Sequence, residues 1–246
     1  MKKSIFVLLA AMLSLSALAA DLPKQGFGLQ IGWAQPILRL NSPNNPATQK
    51  DSLSVVTPLN GFKVGVVYDG SFIKGFGASI GLNYTFGASN SGWKAAGTIA
   101  DYPRSRQLIT YNELEVFVDW QYKFEVAKET YLMLYTGPTI QCGLTLDMRS
   151  DRQVDYDSPI DYAYYSGYKS DEPNESFTRL NVTWGLGAGF QYKRYFLRGG
   201  YDFGLINPFA NKQFINPATG EAMDRYTRGR LDQWSIKIGV YLWYEK

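Results

Sequence analysis

The chain has 246 residues, with 25 Lys and Arg against 22 Asp and Glu, so its formal net charge is only +3. This near balance gives no reason to expect a nucleic-acid partner. The single cysteine, Cys142, cannot form an internal disulfide, and it is interpreted as a small apolar strand residue.

The N-terminal segment resembles a targeting sequence. Lys2 and Lys3 precede an apolar run from Ser4 to Leu18, and small residues surround position 20. The run is shorter than the ~20 residues that a spanning helix needs. We therefore predict a signal peptide over residues 1–20 and one exported domain over residues 21–246.

Eight segments alternate between apolar and polar residues with a period of two, which predicts β-strands. In the clearest, Leu114, Val116 and Val118 alternate with charged or polar residues, and Phe117 is the exception. The predicted strands lie near 26–40, 60–69, 75–86, 110–124, 130–146, 177–192, 195–206 and 230–244.

The connections between these strands alternate in length. Long polar connections are predicted at 41–59, 87–107, 147–176 and 207–229, and the short ones between them are at 70–74, 125–129 and 193–194. Membrane barrels have short periplasmic turns and longer extracellular loops. This alternation of long and short connections predicts an all-β fold, an eight-stranded antiparallel up-and-down transmembrane barrel.

A soluble, lipocalin-like barrel has the same strand order with the faces reversed. Two features favour the membrane. Gly and Ser recur on the polar face, which suits a narrow eight-stranded lumen. The bulky face carries aromatic residues near strand ends, as interfacial girdles do: Trp120, Tyr122, Phe124, Tyr192, Tyr195, Trp234 and Tyr244.

The segment 185–207, GLGAGFQYKRYFLRGGYDFGLIN, combines a Gly-rich strand, a short basic turn and a Tyr-x-x-Gly-Leu-x-Asn element. That element is formed by Tyr201, Gly204, Leu205 and Asn207. The hairpin resembles the last hairpin of the PorT-like family of small outer-membrane β-barrels, and the strand plan is similar to OmpA and OmpX. The resemblance implies a cell outer-membrane location in a Gram-negative type of envelope, with a link to protein secretion or envelope assembly.

The chain has no histidine, the residue best suited to proton transfer near neutral pH. Enzymes built on outer-membrane barrels resemble one another in using one. We therefore predict a protein that is not an enzyme, with no catalytic residue, no cofactor and no metal site. A histidine-free hydrolase of the Ser–Lys kind is the remaining catalytic alternative, and no local motif indicates it.

Charged residues on the polar face predict a network inside the lumen. The alternative is a path for protons or ions, but an eight-stranded lumen leaves little room for water, and buried charges must be paired. The predicted lumen charges are Lys63, Asp69, Glu113, Glu115, Asp119, Lys123, Arg179, Arg198, Asp202 and Lys237.

The predicted loop 147–176 is rich in carboxylates and tyrosines. Its acidic spacing matches no EF-hand, so a Ca²⁺ site is disfavoured against a solvated loop or a recognition surface. The predicted recognition residues are Tyr156, Tyr162, Tyr164, Tyr165 and Tyr168.

The leading functional hypothesis is a structural or interaction role. Outer-membrane lipid surrounds the barrel, and the long loops contact a surface ligand or an envelope or secretion-system protein. The alternative is a narrow porin-like channel for small solutes or ions. Paired lumen charges favour the first hypothesis, and a continuous hydrated path favours the second.

Overall fold

The computed structural model describes most of the predicted strands and part of the long connections. The predicted signal peptide at residues 1–20 lies outside the described residues. Described are residues 25–41, 54–55, 59–73, 75–90, 92, 94–95, 104–154, 157, 159–166, 178–207, 214–215, 222–223 and 228–245.

Among these residues, eight long strands form a ring. Each pairs antiparallel with the next along the chain, and the last pairs with the first. The predicted eight-stranded antiparallel barrel is confirmed. The strands are β1 (Gln25–Asn41), β2 (Asn60–Ile73), β3 (Phe76–Asn90), β4 (Arg104–Ala127), β5 (Thr130–Gln153), β6 (Leu180–Tyr192), β7 (Tyr195–Gly204) and β8 (Arg228–Glu245).

The outer face of the barrel is mostly apolar, and most of its inner face is polar. In β4, Val116, Val118 and Trp120 are exposed, whereas Glu115 and Asp119 are buried. The other strands follow the same rule, because successive side chains of a strand point to opposite faces. This orientation is the reverse of a soluble lipocalin-like barrel and is typical of strands with one face in lipid.

Three tight turns join strands at one end of the ring. They connect β2 to β3, β4 to β5 and β6 to β7. Glu129 and Lys193 adopt left-handed φ values of 57° and 52° in two of these turns, a conformation that tight hairpins require. Within the described residues, no helix is long and apolar enough to cross a membrane.

At the other end, β4 and β5 extend beyond their predicted limits and continue to pair with each other as far as Arg104 and Gln153. A short strand, Asp161–Ser166, then pairs antiparallel with Asp147–Arg152. Part of the segment predicted as loop 147–176 is therefore sheet. Backbone pairing between neighbouring strands continues above the apolar band, where alternation in the sequence is weaker.

The alternation in β8 changes near its end. The register with β1 shifts between Phe27 and Gly28, so that Phe27 pairs with Trp243 and Gly28 with Tyr241. Leu242 is the extra residue of this bulge. Trp243 is consequently exposed, while Tyr244 packs against the inner residue Tyr241. The prediction of Tyr244 as part of the outer girdle is wrong for this reason.

Large inner side chains fit because glycines lie opposite them. A Cβ atom at Gly81 would collide with the Phe117 ring, and one at Gly239 would collide with the Phe196 ring. Val67, Met133 and Tyr241 complete an apolar cluster with these two rings. The lumen is thus filled by protein atoms at this level.

Candidate functional site in the barrel lumen

Most of the predicted lumen charges lie inside the barrel. Eight of the ten are buried: Lys63, Asp69, Glu113, Glu115, Asp119, Lys123, Arg198 and Lys237. Asp202 is half-buried, and its carboxylate lies where a Cβ atom at the inner residue Gly185 would meet it.

Arg179 differs from the prediction. It directly precedes β6, its side chain is exposed, and its Nη1 donates to the carbonyl oxygen of Leu144 at 3.4 Å. The pairing of β5 with β6 ends at Cys142 and Leu180. Arg179 therefore lies past the end of the ladder, where period-two alternation no longer fixes the side-chain direction.

A first network is centred on Glu115, about midway along β4. Lys63 Nζ donates to both carboxylate oxygens of Glu115, at 2.6 and 2.7 Å, and to Gln233 Oε1 at 2.6 Å. Gln233 Nε2 donates to Glu113 Oε1 at 2.9 Å, and Asn83 Nδ2 reaches Glu115 at 3.3 Å. Side chains from β2, β3, β4 and β8 thus meet across the lumen.

A second network is centred on Asp69, nearer the tight turns. Arg198 Nη2 lies 2.9 and 3.1 Å from the two carboxylate oxygens, and Lys123 Nζ donates to one of them at 3.0 Å. The Tyr241 hydroxyl also donates to Asp69. Gln121 accepts from Arg198 at 3.1 Å. Asp69 therefore has two cations and one hydroxyl as partners, which is what a buried carboxylate requires.

Aromatic rings lie beside two of the cations inside the barrel. The Arg198 guanidinium lies 5.6 Å from the Tyr135 ring centroid and 5.5 Å from that of Phe196. Lys237 Nζ lies 4.8 Å from the centroid of Phe117, the residue that interrupts the alternation of β4. These distances suit cation–π attraction, which is stronger when the cation is desolvated.

Along their strands, Asp119 and Lys237 lie between members of the two networks, and Asp202 pairs in register with Gln233 of the first network. Lys237 interacts electrostatically with both carboxylates. Within the described part of the barrel, however, no carboxylate comes within 4 Å of its ammonium group. This middle layer is therefore less tightly paired than the layers on either side of it.

The interior is nearly balanced in charge. Of the nine predicted charges that face the lumen, four are cationic (Lys63, Lys123, Arg198 and Lys237) and five are carboxylates (Asp69, Glu113, Glu115, Asp119 and Asp202). Among the described residues, no group of three or more His, Cys, Asp or Glu is placed to hold a metal ion. The geometry is that of buried ion pairs that join distant strands across the lumen.

The predicted recognition tyrosines are only partly described. Tyr156 and Tyr168 lie outside the described residues. Tyr162, Tyr164 and Tyr165 belong to the strand Asp161–Ser166, whose backbone pairs with the extended end of β5. Three of the five thus lie in a regular strand beyond the barrel ring.

Several partners in these networks are uncharged and were not predicted. Gln121, Gln191 and Gln233 are fully buried, and Tyr241 contacts Asp69 directly. Period-two alternation could have indicated them, because these residues share the inner face with the predicted charges. Charge identifies the ionic side chains of the inner face, but not the amide and phenol groups that accept or donate between them.

Comparison with known proteins agrees with this architecture. A family model described as outer membrane protein beta-barrel domain matches residues 26–210, most of the chain. A comparison with curated proteins finds no match.

Solved structures with similarity include three small barrels. Ail of Yersinia pestis, in complex with the heparin analogue sucrose octasulfate, is 9% identical, covering 88% of this chain and 98% of that one, with a TM-score of 0.39. Neisserial surface protein A is 12% identical, covering 88% and 97%, with a TM-score of 0.38. The N-terminal barrel of Pseudomonas aeruginosa OprF is 9% identical, covering 89% and 99%, with a TM-score of 0.26.

Similarity of this size bears on neither ligand nor activity. The match to the family model, with the ring of strands and its apolar exterior, decides the assignment. The chain belongs to the outer membrane protein beta-barrel domain family and is a protein of the outer membrane.

Proposed function

We propose that this protein is a non-enzymatic barrel with a closed lumen, which holds its extracellular strands and loops at the cell surface as a contact surface for a partner or ligand. The observation that carries the proposal is the pair of buried networks around Glu115 and Asp69. A solute crossing the barrel would have to break both networks.

The energetics support a closed state. Removing one partner of a buried ion pair costs about 3–5 kcal/mol, because the other charge is left uncompensated. The Lys63–Glu115 and Arg198–Asp69 pairs are both almost completely buried. Spontaneous opening of the two together would therefore be rare.

The extracellular part of the proposal rests on the long β4–β5 hairpin and the strand Asp161–Ser166. Tyrosines are common in recognition surfaces, since they combine apolar area with a hydroxyl group. Residues 162, 164 and 165 supply three of them. The resemblance of segment 185–207 to the PorT-like family adds a link to protein secretion or envelope assembly.

Planar-bilayer conductance of the refolded barrel tests the closed lumen. We expect the wild-type protein to give no reproducible current steps. Lys63→Ala and Glu115→Ala, which open the Glu115 network, should be compared with Lys193→Ala at a tight turn outside the lumen. Stable steps in the wild type that change with Lys63 or Glu115, but not with Lys193, would overturn the closed-lumen proposal.

A narrow channel is the second candidate, and the middle layer favours it. Lys237 has no carboxylate within 4 Å among the described residues, and Asp119 and Asp202 lie near it. A less tightly paired polar layer between the Glu115 and Asp69 networks would suit the passage of ions. Lys237→Ala should then change the ion selectivity of any current, whereas a silent membrane for this variant speaks for the plug.

The link to secretion needs a test in the native host. We expect a strain in which Tyr162, Tyr164 and Tyr165 are replaced by Ser to contain normal amounts of folded barrel. We expect it to secrete as little protein as a strain that lacks the gene. The measurement is the amount of secreted protein, compared with a complete deletion. Normal secretion in the deletion strain would remove this link.

A further inference from the structure

A third carboxylate cluster lies outside the lumen, and residues of the Tyr-x-x-Gly-Leu-x-Asn element form part of it. The Tyr201 hydroxyl donates to Asp232 Oδ2 at 2.6 Å, and the Gly204 N–H donates to Asp232 Oδ1 at 3.0 Å. The Asn207 side chain accepts from the Gly229 N–H at 3.1 Å, which ties the element to the start of β8. The element thus fixes the position of Asp232.

Two arginines complete the cluster. Arg39 Nε donates to Asp232 Oδ2 at 2.8 Å, and its Nη2 lies 3.4 Å from the Tyr201 hydroxyl. Arg230 Nη2 donates to Asp232 Oδ2 at 2.9 Å. One carboxylate between two guanidinium groups leaves a formal charge of +1. We call Arg39, Tyr201, Arg230 and Asp232 the outer arginine cluster.

The strand register places this cluster on the outer face. Asp232 is two residues from the exposed Trp234. The Tyr201 ring packs edge-on against the Trp234 ring, with the ring centroids 4.7 Å apart. Arg39 pairs with Arg230, and Ile37 pairs with Asp232. Residues separated by two on a strand share a face, so the cluster faces the surroundings of the barrel rather than its lumen.

The outer arginine cluster lies at the level of the membrane interface. Tyr201, Phe203 and Trp234 form an aromatic group beside it, and such belts lie at the level of lipid headgroups in membrane barrels. The cluster lies at the end of the barrel opposite the tight turns, which faces the cell exterior in outer-membrane barrels.

The arginines remain accessible, although Asp232 does not. The Asp232 side chain is 0% exposed, whereas those of Arg39 and Arg230 are 28% and 39% exposed. The Nη1 group of neither arginine takes part in the bonds described above. Asp232 orients the two guanidinium groups and leaves part of each facing outward.

We propose that the outer arginine cluster binds the phosphate of a lipid headgroup in the outer leaflet. Guanidinium groups match the geometry of phosphate and bind it by paired, charge-assisted hydrogen bonds. The position beside the aromatic group places the site at the depth of a headgroup phosphate. A soluble phosphate has no acyl chains to hold it at this face, so a lipid is the ligand to which the position points.

The test measures lipid retained by the purified, folded barrel. The protein is refolded into vesicles of phosphatidylcholine mixed with lipid A, extracted gently, and analysed by native mass spectrometry. Parallel vesicles contain lipid A from which the phosphates have been removed. We expect retention of the phosphorylated lipid alone, and no competition by inorganic phosphate.

The decisive variant is the double change Arg39→Gln and Arg230→Gln, with Lys193→Gln and Arg194→Gln at a tight turn as a control of equal charge. We expect the first pair to lower retention by roughly tenfold, as loss of a charge-assisted contact does, and the control pair to leave it unchanged. Equal retention in all variants, or an equal loss in the control, would overturn the proposal.

Heat-dependent gel mobility verifies that each variant is folded. Should the glutamine pair fail to fold, Arg39→Lys with Arg230→Lys keeps both positive charges and removes the planar fork. Weaker retention by the folded lysine variant supports the site. Retention equal to that of the wild type contradicts recognition by paired guanidinium groups.

Discussion

The Asp69 network and the outer arginine cluster use the same chemical groups in different surroundings. Each has one carboxylate, two cations and one tyrosine hydroxyl. In the lumen, the side chains of Arg198 and Lys123 are 0% and 2% exposed, whereas the arginines on the outer face are 28% and 39% exposed. The inner cations are thus closed off from the surroundings, whereas the outer guanidinium groups are partly accessible.

The number of partners alone does not separate a structural cluster from a binding site. Asp69 joins β2 to β4, β7 and β8 across the lumen. Among the described residues, Asp232 joins its own strand to β1 and β7, which are its neighbours in the ring. Loss of the inner carboxylate should therefore affect stability, and loss of the outer arginines should affect binding.

We expect Asp69→Asn to destabilise the barrel more than any other change considered below. It leaves the cations Arg198 and Lys123 in the lumen without their carboxylate, and we expect a loss of about 3–5 kcal/mol in the free energy of unfolding. Urea titration of the barrel in lipid vesicles, followed by tryptophan fluorescence, measures it. Asp232→Asn is the matched control and should lose less; an equal loss would erase the distinction between the two clusters.

The next effect is that of Glu115→Ala, which leaves Lys63 without its carboxylate. We expect a loss of several kcal/mol and a smaller heat-resistant, gel-shifted fraction. Replacing both residues by Met should recover part of the loss, because an apolar pair leaves no uncompensated charge. An unchanged melting profile for Glu115→Ala would count against the network.

We expect smaller losses in the free energy of unfolding when either of the two tyrosines is changed to Phe. Tyr241→Phe removes a buried hydrogen bond to a carboxylate, and we expect a loss of about 1.5–3 kcal/mol. Tyr201→Phe removes the corresponding bond to Asp232 on the outer face, where the tyrosine is only partly buried, so we expect a smaller loss, at the lower end of this range. The same unfolding titration measures both, and a reversed order would contradict the assignment of inner and outer roles.

The smallest effect on stability is that of Arg39→Gln. Its ion pair with Asp232 is partly exposed, and such pairs contribute about 0–1 kcal/mol. We therefore expect nearly unchanged unfolding in phosphatidylcholine alone. A loss of several kcal/mol in that lipid would make Arg39 a structural residue like Arg198.

Period-two alternation in the sequence predicted much of the fold. It located the eight strands and their inner and outer faces, because one face must be apolar and the other polar in a membrane barrel. It failed where the local geometry breaks the period. The bulge at Leu242 turns Tyr244 inward, and the end of the β5–β6 ladder leaves Arg179 outside.

The candidate site was predictable only in part. The buried charges, such as Lys63 and Glu115, follow from being on the inner face. Their pairing does not, because Lys63 and Glu115 are 52 residues apart, and Asp69 and Arg198 are 129 apart. Asp232 was missed altogether, since it carries a charge on the face where alternation predicts apolar residues.

Residue order along single strands specifies that the chain forms a barrel, that the ring has eight strands and which face of each strand meets lipid. It does not specify which charges pair, which arginines remain accessible and where β4 and β5 extend beyond the ring. Those features depend on the stagger of strands around a closed sheet. Closure brings together side chains from distant parts of the chain, and no local pattern records which of them will meet.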